Sequence, residues 1–230
     1  MFDSGVRAYH EAGAGEIIPL IISPLDEKER KMRLLQCIRE RDGLISPEVD
    51  SSQLNFFMID VLLDEYPEAR FLLTIRDCHA WLNSFINHSL RFPDTAPLWR
   101  QFRDFRFGAN RLTHPSEEEP LRQLGLYTLE GYLSYWASHN KGVIAAIPGD
   151  KLLIVRTDEI SDRAEEIAEF AGLPPHRINR DSLHIFKSEV DFRVLHQLPT
   201  SYLEAMVERF CGSLMARFFP GIKSLVDAGL

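Results

Sequence analysis

The sequence is short of the groups that most directly announce a chemistry. Only three of its 230 residues are cysteine. Cys37, Cys78 and Cys211 are odd in number, widely spaced and without a CxxC pair, so neither a disulfide framework nor a zinc site is indicated, and a reducing compartment fits. The eight histidines form no HExxH motif and no pair at metal-ligand spacing beside acidic partners, so metal chemistry is unsupported. A GxSxG elbow, a Cys/His nucleophile signature and a GxxxxGK[ST] phosphate loop are all absent; the clustered Gly13 and Gly15 precede no basic residue that reaches a phosphate. No run of about 18 apolar residues occurs, and the start has no cationic segment leading into an apolar one, so a soluble, cytoplasmic chain without a membrane segment is expected. With Lys and Arg numbering 26 against 34 Asp and Glu, the net charge of −8 lacks the basic field that nucleic acid requires, and any anion site must be local. The stretch RQFRDFRFGANR therefore reads as an amphipathic helix with a solvated basic face rather than a nucleic-acid surface.

What is present is an ordinary globular composition, 45% apolar, of a length that suits one α/β domain with a substantial core, although two domains are compatible with it. Ile17 to Ile22 looks strand-like, but Pro19 cannot donate to a ladder, so an edge strand or extended loop is expected. Asp26 to Arg41 is expected to be a helix stopped by Asp42-Gly43, followed by a short strand over Gly43 to Pro47 and a polar turn, Glu48 to Ser52. Ser51 or Ser52 would then cap a helix over Leu54 to Glu65. Leu121 to Lys141 follows as a long helix, Leu152 to Arg156 as a strand, Glu159 to Ala171 as a helix capped by Asp158, and Ser201 to Phe218 as a last helix. Strands alternating with helices of this length imply a three-layer, parallel α/β sheet flanked by helices.

The stretch Tyr66 to His88 organises the rest. Phe71 to Ile75 is a β-rich apolar run that ends abruptly in Arg76-Asp77, and Trp81, Leu82, Phe85, Ile86 and Leu90 then recur at helical spacing. A strand end that passes at once into a helix is where α/β proteins hold anions, because free backbone N–H groups and the helix dipole point there. Arg76 at the strand end and Ser84 between one and two turns into the helix can converge on one anion. Taken alone, an arginine in this place pairs with a neighbouring carboxylate as readily as it serves a ligand.

The segment EYPEARFLLTIRDCHAWLNSFINH resembles the nucleotide-binding segment of the sulfotransferases that use 3′-phosphoadenosine-5′-phosphosulfate (PAPS), whose pattern is P-x-A-(K/R)-(apolar)-x-x-x-R-(D/N), six residues, then S. Pro67, Ala69, Arg70, Phe71, Arg76, Asp77 and Ser84 fill it. LLIVRTDEISDRAEEIAEFAGLPP is similar to a second family segment, a strand, an acidic turn and a helix ending in F-x-G-L-P, with Thr157 where many members carry a tyrosine near the adenine. The resemblance covers about Glu48 to Pro175. It implies a P-loop NTPase-like fold, PAPS as co-substrate without a metal, binding of the 3′-phosphate by Arg76 and Ser84, and transfer of a sulfuryl group to a small-molecule or saccharide-like acceptor. The family's base sits on the turn before the helix that precedes this segment. Here that turn holds carboxylates, Glu48 first and Asp50 second, which helix capping accounts for as well. The family's other loop, P-K-(S/A)-G-T-T or a relative, has no counterpart. A start just after it, its replacement by residues such as Ser4 and Arg7, or a cofactor-deficient, inactive binding module would each account for that. Weak binding and poor turnover are expected. Lys187 and Ser188 are candidates for a late loop over the nucleotide, with ordinary loop polarity as the alternative.

Overall fold

The structure is a computed structural model and describes residues 5–93, 96–174 and 191–230. In order, the elements are β1 (Ala8–His10), α1 (Ala14–Ile22), α2 (Glu27–Ile45), β2 (Val49–Ser51), α3 (Ile59–Glu65), β3 (Phe71–Ile75), α4 (Cys78–Arg91), α5 (Pro97–Phe107), α6 (Glu119–Gln123), α7 (Leu129–Ala146), β4 (Leu152–Arg156), α8 (Ala164–Phe170) and α9 (Thr200–Phe218). The class is α/β, as the alternation predicts. Among the described residues the strands form two two-stranded sheets, β1 with β2 and β3 with β4. The chain divides into two compact units, one of residues 1–74 and 142–185, the other of residues 75–141 and 186–230.

In the first unit β1 and β2 run parallel, with Ala8 opposite Val49, Tyr9 opposite Asp50 and His10 opposite Ser51. Two helices make the crossover that parallel pairing demands. The first of them corrects the expectation of an extended segment, since Ile17, Ile18 and Ile21 are buried on one side of α1 with Pro19 inside the helix. Spacings of one, three and four suit a helix as well as a strand, and the burial of three isoleucines outweighs the single backbone bond that Pro19 forfeits.

In α2, Asp26 caps the start by accepting from the Glu29 N–H at 2.9 Å, and Leu34 and Ile38 form the buried stripe of an otherwise charged helix. Asp42-Gly43 does not stop it. The helix continues to Ile45 and ends at Ser46 in the left-handed region, φ 45°, so the expected strand over Gly43 to Pro47 is instead a helix end, with strand β2 following at Val49. The predicted helix from Leu54 opens as a 3-10 turn, Asn55–Met58, before α3, and Ser52 Oγ accepts from the Leu54 N–H at 3.1 Å. Ile59, Leu73, Val143 and Ile147 form a core flanked by Phe56, Phe71, Leu152 and Ile154. Asp158 pairs with Arg156 at 2.5 Å, and α8 begins later than expected, at Ala164, with Arg163 in the N-cap position.

The second unit is helical. Its α4 packs on α9, where the Cys78 N–H donates to Met215 Sδ at 3.4 Å. The long helix expected from Leu121 is broken: α6 ends at Gln123, Gly125 takes φ 67°, and α7 starts at Leu129. Buried Glu118 holds that junction, accepting from the Leu129 N–H at 3.0 Å and from Tyr202 Oη at 2.7 Å. Phe107 is the hub of an aromatic core, with ring centroids 4.8 Å from Tyr132, 5.0 Å from Tyr127 and 5.2 Å from Phe85. Gly131 is required there, because a Cβ would stand 2.3 Å from the Phe107 carbonyl oxygen.

Candidate functional site

Chain order and elementary capping build the strand-to-helix switch of the second unit. After Ile75 the chain leaves β3, and Asp77 becomes the N-cap of α4, its buried carboxylate accepting from the Ala80 N–H at 2.8 Å. The Trp136 indole N–H donates to the Arg76 carbonyl at 3.1 Å and so fixes the backbone of the residue between strand and cap. The Arg76 side chain is exposed and, among the described residues, has no hydrogen bond or ion pair. An acid stands next to it in sequence but is occupied by the cap. What remains is a cation held at a helix start with its charge unspent.

Ser84 is the seventh residue of α4, half-buried, with its hydroxyl unengaged among the described residues. At 1.5 Å per residue it stands about 9 Å along the axis from Cys78. By helical spacing it shares a face with Asp77, Trp81 and His88. Trp81 stiffens that face, its ring 5.5 Å from Phe85 and 6.4 Å from Tyr135. The same helix carries the buried Asn83 and Asn87, which the sequence patterns do not single out. Asn87 donates to Asp191 Oδ1 at 3.0 Å and accepts from the Phe192 N–H at 3.0 Å, which ties residues 191–192 to α4 one turn beyond Ser84. Burial works against the Asp191 charge, but hydrogen bonds from the Arg193 N–H, Asn87 and Asn83 hold its carboxyl below the usual range. Ser4, Lys187 and Ser188 lie outside the described residues.

Glu48 and Asp50 belong to the first unit. Glu48 accepts from the Arg7 N–H at 3.0 Å and sits 3.6 Å from the Arg7 guanidinium. Arg7 also donates to the Ser46 carbonyl at 2.6 Å, so this proposed substitute for the missing loop is already engaged. Asp50, on β2, lies 3.0 Å from Arg41, an ion pair rather than an aligned hydrogen bond. Arg41 is 8% exposed, donates to Asp42 at 2.6 Å, and Asp42 in turn accepts from Tyr66 Oη at 2.7 Å. Burial raises the Asp50 carboxyl above its ordinary pKa and outweighs the pull of Arg41. That makes Asp50 the more basic kind of carboxylate, though one tied to a cation.

Parallel pairing also brings up a residue that sequence order hides. His10, exposed at the end of β1, is opposite Ser51, the last residue of β2. Next to it Glu11, at φ 54°, accepts from Ser52 Oγ at 2.8 Å and from the Gln53 N–H at 3.2 Å, binding the β1–α1 turn to the end of β2. No local pattern reports such a contact between residues some forty apart.

A family model described as a sulfotransferase domain matches residues 51–176, just over half of the chain. The chain belongs to the sulfotransferase-domain family. The matched region takes in Arg76 and Ser84 and begins immediately after Asp50. Among solved structures, a sulfotransferase from Alicyclobacillus acidocaldarius is similar at 14% identity and a TM-score of 0.45, over 90% of this chain and 85% of that one. No curated protein matches the chain. For this sulfotransferase-family chain, no described helix is long and apolar enough to cross a membrane.

Proposed function

We propose that the protein, acting as one sulfotransferase-like domain over residues 1–230, transfers a sulfuryl group from PAPS to the hydroxyl or amine of a small-molecule or saccharide-like acceptor. In the transfer the acceptor oxygen or nitrogen forms a bond to sulfur, the bond from sulfur to the 5′-phosphate oxygen breaks, and its electron pair leaves on adenosine 3′,5′-bisphosphate. The acceptor proton passes to a carboxylate, Asp50 or Glu48. Burial raises the Asp50 carboxyl above its ordinary pKa, which suits a base, with Arg41 3.0 Å away to hold the carboxylate in place. Arg76 supplies the fixed positive charge for the 3′-phosphate and Ser84 a hydroxyl donor, so positioning and charge neutralisation are their contribution.

The observation that carries this reading is the unspent guanidinium of Arg76 at the start of α4, within a family-matched segment whose neighbouring acid is committed to capping. The test is calorimetry with adenosine 3′,5′-bisphosphate. A charge-assisted contact to phosphate contributes about 1.5 to 3 kcal/mol, so Arg76→Ala is expected to weaken binding about 10- to 100-fold. Absence of binding by the unaltered protein, or equal affinity after the substitution, would sink the assignment. A second reading, a nucleotide-binding module that does not turn over, is favoured by the β1–α1 turn, which carries Glu11 where a donor-binding loop would carry a cation. Assay of sulfuryl transfer from labelled PAPS separates the two: bisphosphate binding without any transfer selects the module.

A further inference from the structure

Arg76 falls between two elements and belongs to neither. Strand β3 ends at Ile75 and α4 begins at Cys78, so by position neither a strand ladder nor a helical turn provides a partner for the Arg76 carbonyl. The donor comes from α7: the indole N–H of Trp136, a residue 2% exposed, lies 3.1 Å from that oxygen. The surroundings hold this donor in place. On α7 itself, Asn140 donates to the Trp136 carbonyl at 2.8 Å. The Cys211 thiol of α9 donates to the Leu133 carbonyl of α7 at 3.7 Å, and Met215, one turn further along α9, accepts from the Cys78 N–H at 3.4 Å. Helices α7 and α9 and residues 76–78 are thus linked in one closed circuit of bonds, all within the second unit. The Arg76 side chain projects from this frame, exposed. Tyr135, next to Trp136 on α7, has its ring 6.4 Å from Trp81, which shares a helix face with Ser84, so α7 also braces the second residue of the switch.

We propose that Trp136 is a positioning residue of the donor site, its indole N–H fixing the Arg76 backbone so that the guanidinium meets the 3′-phosphate from a base already ordered; the inference rests on the sulfotransferase reading above. An arginine whose main chain is fixed gives up only side-chain freedom on binding, whereas one on a loose turn gives up backbone freedom as well. Trp136 itself touches no ligand. Its effect on affinity passes through Arg76.

The experiment is a double-variant cycle on the full chain, read by calorimetry with adenosine 3′,5′-bisphosphate. Trp136→Phe keeps an aromatic ring and removes the donor, and it is expected to weaken binding about fivefold, the worth of roughly one hydrogen bond. In an Arg76→Ala background the same substitution is expected to change affinity by less than about twofold, because the group it positions is gone. A merely structural role for Trp136 lowers the thermal midpoint without that dependence on Arg76. Replacement of Trp136 by benzothienylalanine, in which sulfur stands in for the indole N–H at nearly the same shape, removes the hydrogen bond without emptying the core. It is expected to give the same loss, and the cycle is read with it where Trp136→Phe does not fold. An equal loss with and without Arg76 overturns the proposal. Binding that depends on Arg76 but not on Trp136 overturns the positioning role alone. Absence of binding by the unaltered protein overturns the donor reading and the positioning role with it.

Discussion

The molecule contains two strand-to-helix turns that look alike on paper and handle charge in opposite ways. At β3–α4 the acid, Asp77, is spent on capping, and the cation beside it, Arg76, remains free. At β1–α1 the cap is Gly13 at φ 73° with no side-chain bond, the turn's own charge is the acid Glu11, and the nearest buried cation, Arg41, is committed to Asp42, Asp50 and the Ala12 carbonyl. A helix start attracts anions only as far as the charges around it are left uncommitted. By that criterion the first turn is a structural joint, and the second is the one proposed to bind. Substitution at each should therefore be read by a different instrument, stability for one and affinity for the other.

The largest effect is expected at Arg41. Removing it leaves Asp42 and Asp50 nearly buried without their cation, and breaking such a pair costs about 3 to 5 kcal/mol. Arg41→Met should lower the free energy of unfolding from urea titration by that amount at neutral pH, whereas Arg76→Ala should leave it unchanged. If Arg76→Ala destabilised the fold as much, Arg76 would be a structural cation and the contrast would collapse.

Next in size is a pH effect confined to the second unit. Burial, with the Arg106 charge adding to it, lowers the pKa of His139 to about 4 from 6.5. A histidine with a lowered folded-state pKa stabilises fully above the unfolded value, and that stability drains away as pH falls from about 6.5 to about 4. The full loss amounts to about 3 kcal/mol. Denaturant titrations at pH 7 and pH 4 should show it, and His139→Phe should flatten the difference. An unchanged slope in the variant would assign the acid sensitivity elsewhere.

How much of this was legible in the sequence follows from the range of the forces involved. The β3–α4 switch was readable because each part is local: an apolar run of five, an acid in the capping position, then helical periodicity. Ile17 to Ile22 was not, because six residues cannot separate a period of 2 from one of 3.6 and Pro19 tipped the balance the wrong way. The end of α2 was misplaced because Gly43 is tolerated inside a helix long enough to carry it. Glu48 and Asp50 were visible as acids, but their partners Arg7 and Arg41 come from other elements. His10 meets Ser51 through a pairing between distant residues that no window of sequence contains.

A smaller test addresses the β1–α1 joint. Gly13→Ala places a Cβ on a residue at φ 73°, 3.2 Å from Arg41 Cδ, and should cost about 1 to 2 kcal/mol of stability. Bisphosphate affinity should not change. A loss of affinity in a still-folded Gly13→Ala protein would mean that the first turn also touches the nucleotide.

Ser84→Ala carries the smallest expected effect and discriminates best. The hydroxyl makes no described hydrogen bond and is half-buried on the Trp81 and His88 face, so its removal empties little volume and strands no partner. Thermal stability should stay within about 0.5 kcal/mol. If Ser84 donates to the same phosphate as Arg76, affinity for adenosine 3′,5′-bisphosphate should drop by about 1 kcal/mol, roughly fivefold. The two losses should then fail to add in the Arg76→Ala, Ser84→Ala double variant, because groups that share one ligand atom cluster are coupled. Strict additivity would place Arg76 and Ser84 on separate ligands, and the switch would then hold its anion with the arginine alone.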